Sequence, residues 1–325
     1  MSKENLDSSN YESTRAERSS SDKRSFDVVI VGGGPTGCAV GMFTARAGLV
    51  TCILDRGPSS LKHCAFLENY LGYPAGISTD RYLEIIQNQV ERAGCVLNSQ
   101  LVTAVRSESN VFEVETNEGN CVNAERVVCT SKADVSFLEP LDRDGTLLEP
   151  YEARFCPHGH ERTRFASGVV EDSGKTPIGG LYAAGPLAGV GDQVQISAGH
   201  GAMVGRQVVA DSRREDGYWD DVAKWFDWCP PKSRGNYSPS QHWRETILEE
   251  LPKALDEDEL VANDHPVSDI IDDVVADTLE MYVSLEQVKK MKREAQYQLA
   301  QHLDTEVLRT VYDERIEPDA APSSI

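Results

Sequence analysis

Residues 26–37 read FDVVIVGGGPTG, an apolar, β-branched run that ends abruptly in glycine. A run of that kind closed by a turn signal has the pattern of a strand buried on both faces of a parallel sheet. The following CAVGMFTARAGLV reads as a helix ending near Gly48, and TCILD (51–55) reads as the next strand. Strand, glycine turn, helix and strand in this order form a βαβ unit. Within the turn, Gly32-x-Gly34-x-x-Gly37 has the spacing of a dinucleotide-binding loop. The first glycine permits the tight turn, the second lets backbone approach a pyrophosphate, and the third lets helix and strand pack closely. Phosphate oxygens would sit at the helix N-terminus, where free N–H groups and the macrodipole favour anions. Asp55, 23 residues beyond Gly32, stands where a carboxylate accepts hydrogen bonds from ribose hydroxyls.

Outward from this unit, RYLEIIQNQVERAG (81–94) has helical periodicity, with Tyr82, Ile85, Ile86, Val90 and Ala93 on one side. CVLN (95–98), LVTAVRS (101–107), VFEVETN (111–117) and RVVCT (126–130) read as strands, with a hairpin turn at Asn117–Asn120. Residues 131–175 show few periodic runs and read as a connection. GGLYAAG (179–185) is a second buried-strand signal, and 197–212 reads as a further helix. Beyond 213 come four tryptophans (Trp219, Trp225, Trp228, Trp243), a Pro/Gly/Ser loop at 230–240 and helical sequence to about 312. Ile270, Ile271, Val274, Val275, Leu279, Tyr282, Leu285 and Val288 keep helical spacing. That stripe is a core face, packed on the first domain or on a second copy of the chain.

The chain has 325 residues, with 53 Asp+Glu against 32 Lys+Arg and a formal net charge of −21. This charge disfavours nucleic acid or an anionic membrane surface as partner, because the electrostatic contribution would be repulsive. No apolar run reaches the length of a membrane span. Only 11 of the basic residues are Lys and 21 are Arg. Such an acidic, Lys-poor surface resembles that of proteins from salt-accumulating archaea, where salt screens the self-repulsion. The 8 cysteines lie in a chain too long for a small disulfide scaffold, and several sit inside apolar runs. Residues 1–25 contain no apolar stretch of the secretory kind and read as disordered. The expectation is a cytoplasmic protein with reduced thiols.

Three further segments narrow the nucleotide. Glu68–Ile77 (ENYLGYPAGI), Thr176–Gly185 (TPIGGLYAAG) and Gln193–Ala202 (QVQISAGHGA) occur in this order. With the glycine turn, they resemble the thioredoxin-reductase-like branch of the FAD/pyridine-nucleotide flavoproteins, over 26–135 and 175–211. The resemblance implies FAD as cofactor, with Gly32, Gly34 and Gly37 at the pyrophosphate, Asp55 at the adenosine ribose and the Val102 backbone near the adenine. It likewise implies Asn69 near the flavin, Gly185 and Pro186 near the ribityl chain, and Gln193 and Val194 at the pyrimidine edge of the ring. Electrons would come from NAD(P)H or a partner protein.

The departures from that pattern carry information of their own. About forty residues (135–175) stand where such flavoproteins insert a whole nicotinamide-binding domain. No second Gly-x-Gly-x-x-Gly follows a strand, and no Cys-x-x-Cys occurs. Cys129-Thr130-Ser131 replaces Ala-Thr-Gly, Pro186 replaces an Asp, and Asp192 replaces an Arg. Proline supplies neither charge nor N–H at the ribityl position, and Asp192 disfavours an anionic reduced flavin. Cys64, in Leu-Lys-His-Cys (61–64), has a cation and a base beside it, surroundings that lower a thiol's pKa; the plainer reading is an inert, partly buried residue. Cys38 reads as packing, Cys156-Pro-His158-Gly-His160 as a surface loop rather than a zinc site, and His200 as a helix-start histidine without a ligand role.

These signals define an α/β fold: an FAD-binding, Rossmann-like parallel sheet with an antiparallel β layer and a C-terminal helical extension. The expected organisation is a disordered segment (1–25), an FAD-binding domain (26–212, in two segments 26–135 and 175–212 joined by 136–174) and an acidic extension (213–325). Three functions fit: an FAD-dependent oxidoreductase that is not an ordinary dithiol reductase, a non-enzymatic FAD-binding sensor or partner-binding protein, or an NAD-binding protein. The partner would be a small molecule or a redox protein, and a homodimer would cover the exposed stripe and tryptophans. No residue is singled out as catalytic, and none as a metal ligand.

Overall fold

In the computed structural model, the described residues are 25–57, 59–131, 134–152, 161–224, 267–280 and 282–316. The expected disordered segment (but for Ser25), the Cys156/His158/His160 cluster and Trp225, Trp228 and Trp243 lie outside them. The chain opens with β1 (Ser25–Val31), α1 (Pro35–Arg46) and β2 (Thr51–Leu54), the βαβ unit read from the sequence. Then follow α2 (Thr79–Arg92), β3 (Val96–Asn98), β4 (Val102–Glu108), β5 (Val111–Thr116) and β6 (Cys121–Cys129).

The strands form one mixed sheet in the order β3-β2-β1-β6-β5-β4, and β9 (Leu181–Ala183) pairs with the C-terminal half of β6. The β1, β2, β3, β6 and β9 pairings are parallel, and β4-β5-β6 is an antiparallel meander. This is the expected architecture: β6 belongs to both parts, so the meander continues the parallel sheet instead of stacking on it. Side chains alternate across it as the pleat dictates. Val28, Ile30, Ile53 and Val128 pack under α1, α2 and α3 (Val194–Glu215), while Val29, Val31, Cys52, Leu54 and Val127 face Phe112, Phe137, Leu138 and Leu147.

Two expectations need correction. The connection 136–174 holds an antiparallel hairpin, β7 (Leu148–Glu152) with β8 (Glu161–Phe165). Its Glu, Arg and Pro content hides the strand alternation, although Leu148 and Phe165 pack on the main core and Tyr151 lies under the Arg164 guanidinium. The apolar stripe from Ile270 to Val288 is divided between two helices. After the short α4 (Asp220–Ala223) come α5 (Val267–Glu280), α6 (Leu285–Gln301) and α7 (Thr305–Ile316). Ser284 and Gln287 cap each other reciprocally at 2.6 and 3.1 Å, which starts a new helix in the middle of the apolar period. Ile270, Ile271, Val274 and Val275 are buried on Val222 beside Tyr218 and Trp219, whereas Leu285 is exposed. No helix among the described residues is long and apolar enough to cross a membrane.

One buried carboxylate ties α3 to the sheet and to the start of the extension. Asp211 accepts hydrogen bonds from Tyr182 Oη (2.8 Å), Lys175 Nζ (2.9 Å), Gln207 Nε2 (2.9 Å) and Arg214 Nη1 (2.6 Å). Arg214 also pairs with Asp220 of α4. Burial raises the Asp211 pKa, but the donors outweigh it and hold the carboxyl below its ordinary value. Its stabilisation is therefore complete above the unfolded-state value and fades as pH falls below about 4. Asp211→Ala strands four donors and is expected to cost about 3 kcal/mol in urea unfolding at neutral pH, with the deficit shrinking below about pH 4.

Candidate functional site

At the carboxyl ends of β1, β2 and β6, a cleft of about 430 Å³ opens between the strand ends, the loop after β2 and the first turns of α1 and α3. Open α/β sheets bind ligands at this edge, where strand-to-helix loops converge. Gly32, Gly33, Gly34, Pro35 and Thr36 form its floor, and Asp55 and Arg56 follow from the end of β2.

The turn geometry follows from the glycines. Gly32 has φ +114°, a conformation that side chains resist. A Cβ on Gly37 would fall 1.8 Å from the Gly32 carbonyl oxygen, so α1 approaches the end of β1 only because that atom is missing. Gly34 is the N-cap of α1 and no side chain caps the helix, so the N–H groups of its first turn are left for a ligand in the cleft. A side chain at Gly33 would intrude at 2.8 Å from Asp55 Cβ. Thr130 ties β6 to this turn, its hydroxyl donating to the Val31 carbonyl at 2.9 Å. Gln87 of α2 reaches over with Nε2 at 3.1 Å from the Gly33 carbonyl and 3.3 Å from Asp55 Oδ2.

Of the residues singled out in the sequence, Gly32, Gly34, Asp55, Val102, Pro186 and Val194 line this one cleft. Gly37 lies behind it as a packing contact. Gly185 precedes Pro186 with φ +68° and packs against Thr36. Asn69 and Gln193 do not line the cleft; they bond to each other, Asn69 Nδ2 donating to Gln193 Oε1 at 2.7 Å. The segment 68–77 closes on itself through the Leu67–Ile77 bridge, and Tyr70 packs on Tyr82 of α2 at 5.0 Å between ring centroids. Asp192 is a lining residue.

The cysteines divide by environment. Cys38 is buried beneath the turn, its Sγ 3.4 Å from the Gly33 carbonyl, and burial followed by the Asp55 charge pushes its pKa up to about 12. It packs, as expected, and is unreactive at neutral pH. Cys64 lies in the segment expected to face the flavin and lines the cleft, but it is exposed rather than partly buried. Among the described residues no group of His, Cys, Asp and Glu could hold a metal ion. Sequence reasoning missed Thr36, Ser59, Gln87 and Phe137 at the site, whereas Ser197, in the quoted 193–202 segment, lines the cleft. Of those missed, only Thr36, inside the glycine turn, had a local signal; the others arrive by long-range packing.

The chain matches no family model. It is similar over part of its length to thioredoxin reductases: 31% identity over 110 residues to that of Aquifex aeolicus, covering 33% of this chain and 34% of that protein. To that of Treponema pallidum it is 32% identical over 97 residues, or 29% and 31% of the two chains. The chain thus matches about a third of the length of these curated relatives. Among solved structures, a thioredoxin reductase from Gloeobacter violaceus superposes with a TM-score of 0.49 at 18% identity, over 64% of this chain and 99% of that one.

The Gly37 contact yields a direct expectation. Gly37→Ala forces α1 off the end of β1 and is expected to lower stability by about 3 kcal/mol, read as a reduced midpoint in thermal or urea unfolding. An unchanged midpoint would mean that the turn tolerates a wider spacing than this one.

Proposed function

We propose that this chain is an FAD-dependent oxidoreductase resembling the flavin-binding part of thioredoxin reductases, fed by NAD(P)H or by a partner protein. The observation that carries the reading is the convergence of Gly32, Gly34, Asp55, Val102, Pro186 and Val194 on one cleft at the strand ends. Those residues come from segments as far apart as 32 and 194. The partial similarity to thioredoxin reductases supports the same reading.

The residues suit the cofactor. The uncapped first turn of α1 offers N–H donors and a positive dipole end to a pyrophosphate, and glycine at 33 and 34 leaves room for it. Asp55 would hold the adenosine ribose, with Gln87 orienting its carboxylate. The Val102 backbone would edge the adenine, Pro186 the ribityl chain and Val194 the ring, with Asn69 and Gln193 exchanging their mutual bond for the flavin. Bound there, FAD supplies the redox chemistry, and the chain binds, orients and shields it. Asp192 in the lining makes negative charge on the flavin costly, so the midpoint potential should lie low. The sequence contains no Cys-x-x-Cys, so the acceptor proposed is a small molecule or redox protein reached without such a dithiol. A salt-rich, reducing cytoplasm and a homodimer belong to the same proposal.

Asp55→Ala is expected to weaken FAD binding roughly 10- to 100-fold in a fluorescence titration, the cost of losing a charged hydrogen-bond acceptor. An anaerobic titration with NADH and NADPH in high-potassium buffer tests the activity. Bleaching of the flavin band by stoichiometric donor is expected; a flavin spectrum inert to both would favour a sensor or an enzyme fed by a protein.

A further inference from the structure

Three chain segments meet in one wall of the cleft. The turn after β9, Gly185–Ala188, contributes Pro186; the first turn of α1 contributes Thr36; and the start of α3 contributes Val194 and Ser197. They fit without slack. A Cβ on Gly185 would fall 2.4 Å from Thr36 Oγ1, and one on Gly201 would fall 2.4 Å from the Thr36 carbonyl oxygen. His200 stands between them, and the Gly185 N–H donates to its Nδ1 at 2.9 Å. A ring nitrogen that accepts from an N–H carries no proton, so His200 is neutral with its hydrogen on Nε2. The Asp172 backbone, in the loop before β9, is its other hydrogen-bond partner.

We propose that His200 is the positioning residue of this wall, and that its protonation releases the Gly185 turn so that nucleotide binding weakens in acid. A proton on Nδ1 would place two N–H groups head to head and remove the acceptor that holds the turn. The ligand half of this inference rests on the FAD reading; the lock itself does not.

The surroundings set the direction of the switch. Burial disfavours the imidazolium and lowers the His200 pKa, partly opposed by the Asp172 backbone and carboxylate. The remaining neighbours bring little charge. The only charged residue of α1 is Arg46 at its far end, the Gly185–Ala188 turn has none, and α3 has none before Arg206. In the preceding loop Lys175 is engaged by Asp211, and Glu171 accepts from Ser173. With a folded-state pKa below the unfolded value of about 6.5, the lock is complete above that pH and is lost as pH falls through the folded value.

The test titrates the full chain with FAD between about pH 7.5 and 5.5 and follows hydrogen-exchange protection of the Gly185 amide over the same range. Wild type is expected to lose affinity by a few-fold toward the acid end of the range as the Gly185 amide loses protection. His200→Asn, whose amide oxygen can stand in for Nδ1 and does not titrate, should keep both nearly constant. His200→Leu should bind weakly, with an unprotected Gly185 amide, at every pH. Wild-type protection indifferent to pH, or an equal acid loss in wild type and His200→Asn, would overturn the proposal. If FAD binds at no pH, the flavin reading fails, and the Gly185 amide still decides whether the lock exists.

Discussion

The structure depends on one close approach. Helix α1 leaves the end of β1 so tightly that Gly37 lies against the Gly32 carbonyl with no space for a methyl group. From this contact follow the angle of α1 over the sheet, the direction in which its first-turn N–H groups point, and the seat for α3, which meets Thr36 at Gly201. The cleft is what remains between these elements once the contact is made. Its floor is backbone rather than side chain because a turn this tight excludes Cβ atoms, and exposed N–H groups are what an anion requires.

Polar side chains then fix the segments that packing alone leaves free. Thr130 fastens the end of β6 to the turn, and Gln87 bridges α2 to both the Gly33 carbonyl and Asp55. At the far end of α3, Asp211 gathers Tyr182, Lys175, Gln207 and Arg214, and through Arg214 reaches α4, on which α5 packs. The two ends of α3 thus do different work: its start forms a cleft wall, and its end anchors the extension. A long helix joining them is a rigid connection, so the extension and the cleft share one mechanical element.

The βαβ unit was legible because its signals are local: a buried β-branched run, glycines at fixed spacing and an acid at the next strand end. The meander was legible for the same reason, from Val/Phe alternation in 111–117 and the turn at Gly119. What escaped was set by distance or masked by context. Asn69 meets Gln193 across 124 positions of sequence, and nothing local predicts that they bond to each other. The β7–β8 hairpin hides its alternation among Glu, Arg and Pro. The apolar period from Ile270 to Val288 runs straight through the Ser284–Gln287 capping box, so periodicity alone joined two helices that the cap separates. Cys64 was read as partly buried, yet it is exposed where the loop after β2 borders the cleft.

The central claim is that the β1–α1–β2 unit holds the adenosine diphosphate half of a flavin dinucleotide. Isothermal titration of the protein with FAD and, separately, with FMN tests it most directly, because FMN carries the same isoalloxazine and ribityl phosphate without the adenosine half. The account predicts one site for FAD and binding of FMN weaker by at least about a hundredfold, since the contacts at the Gly32–Thr36 turn and Asp55 would be largely lost. Equal affinity for the two, or no binding of FAD at all, would contradict it.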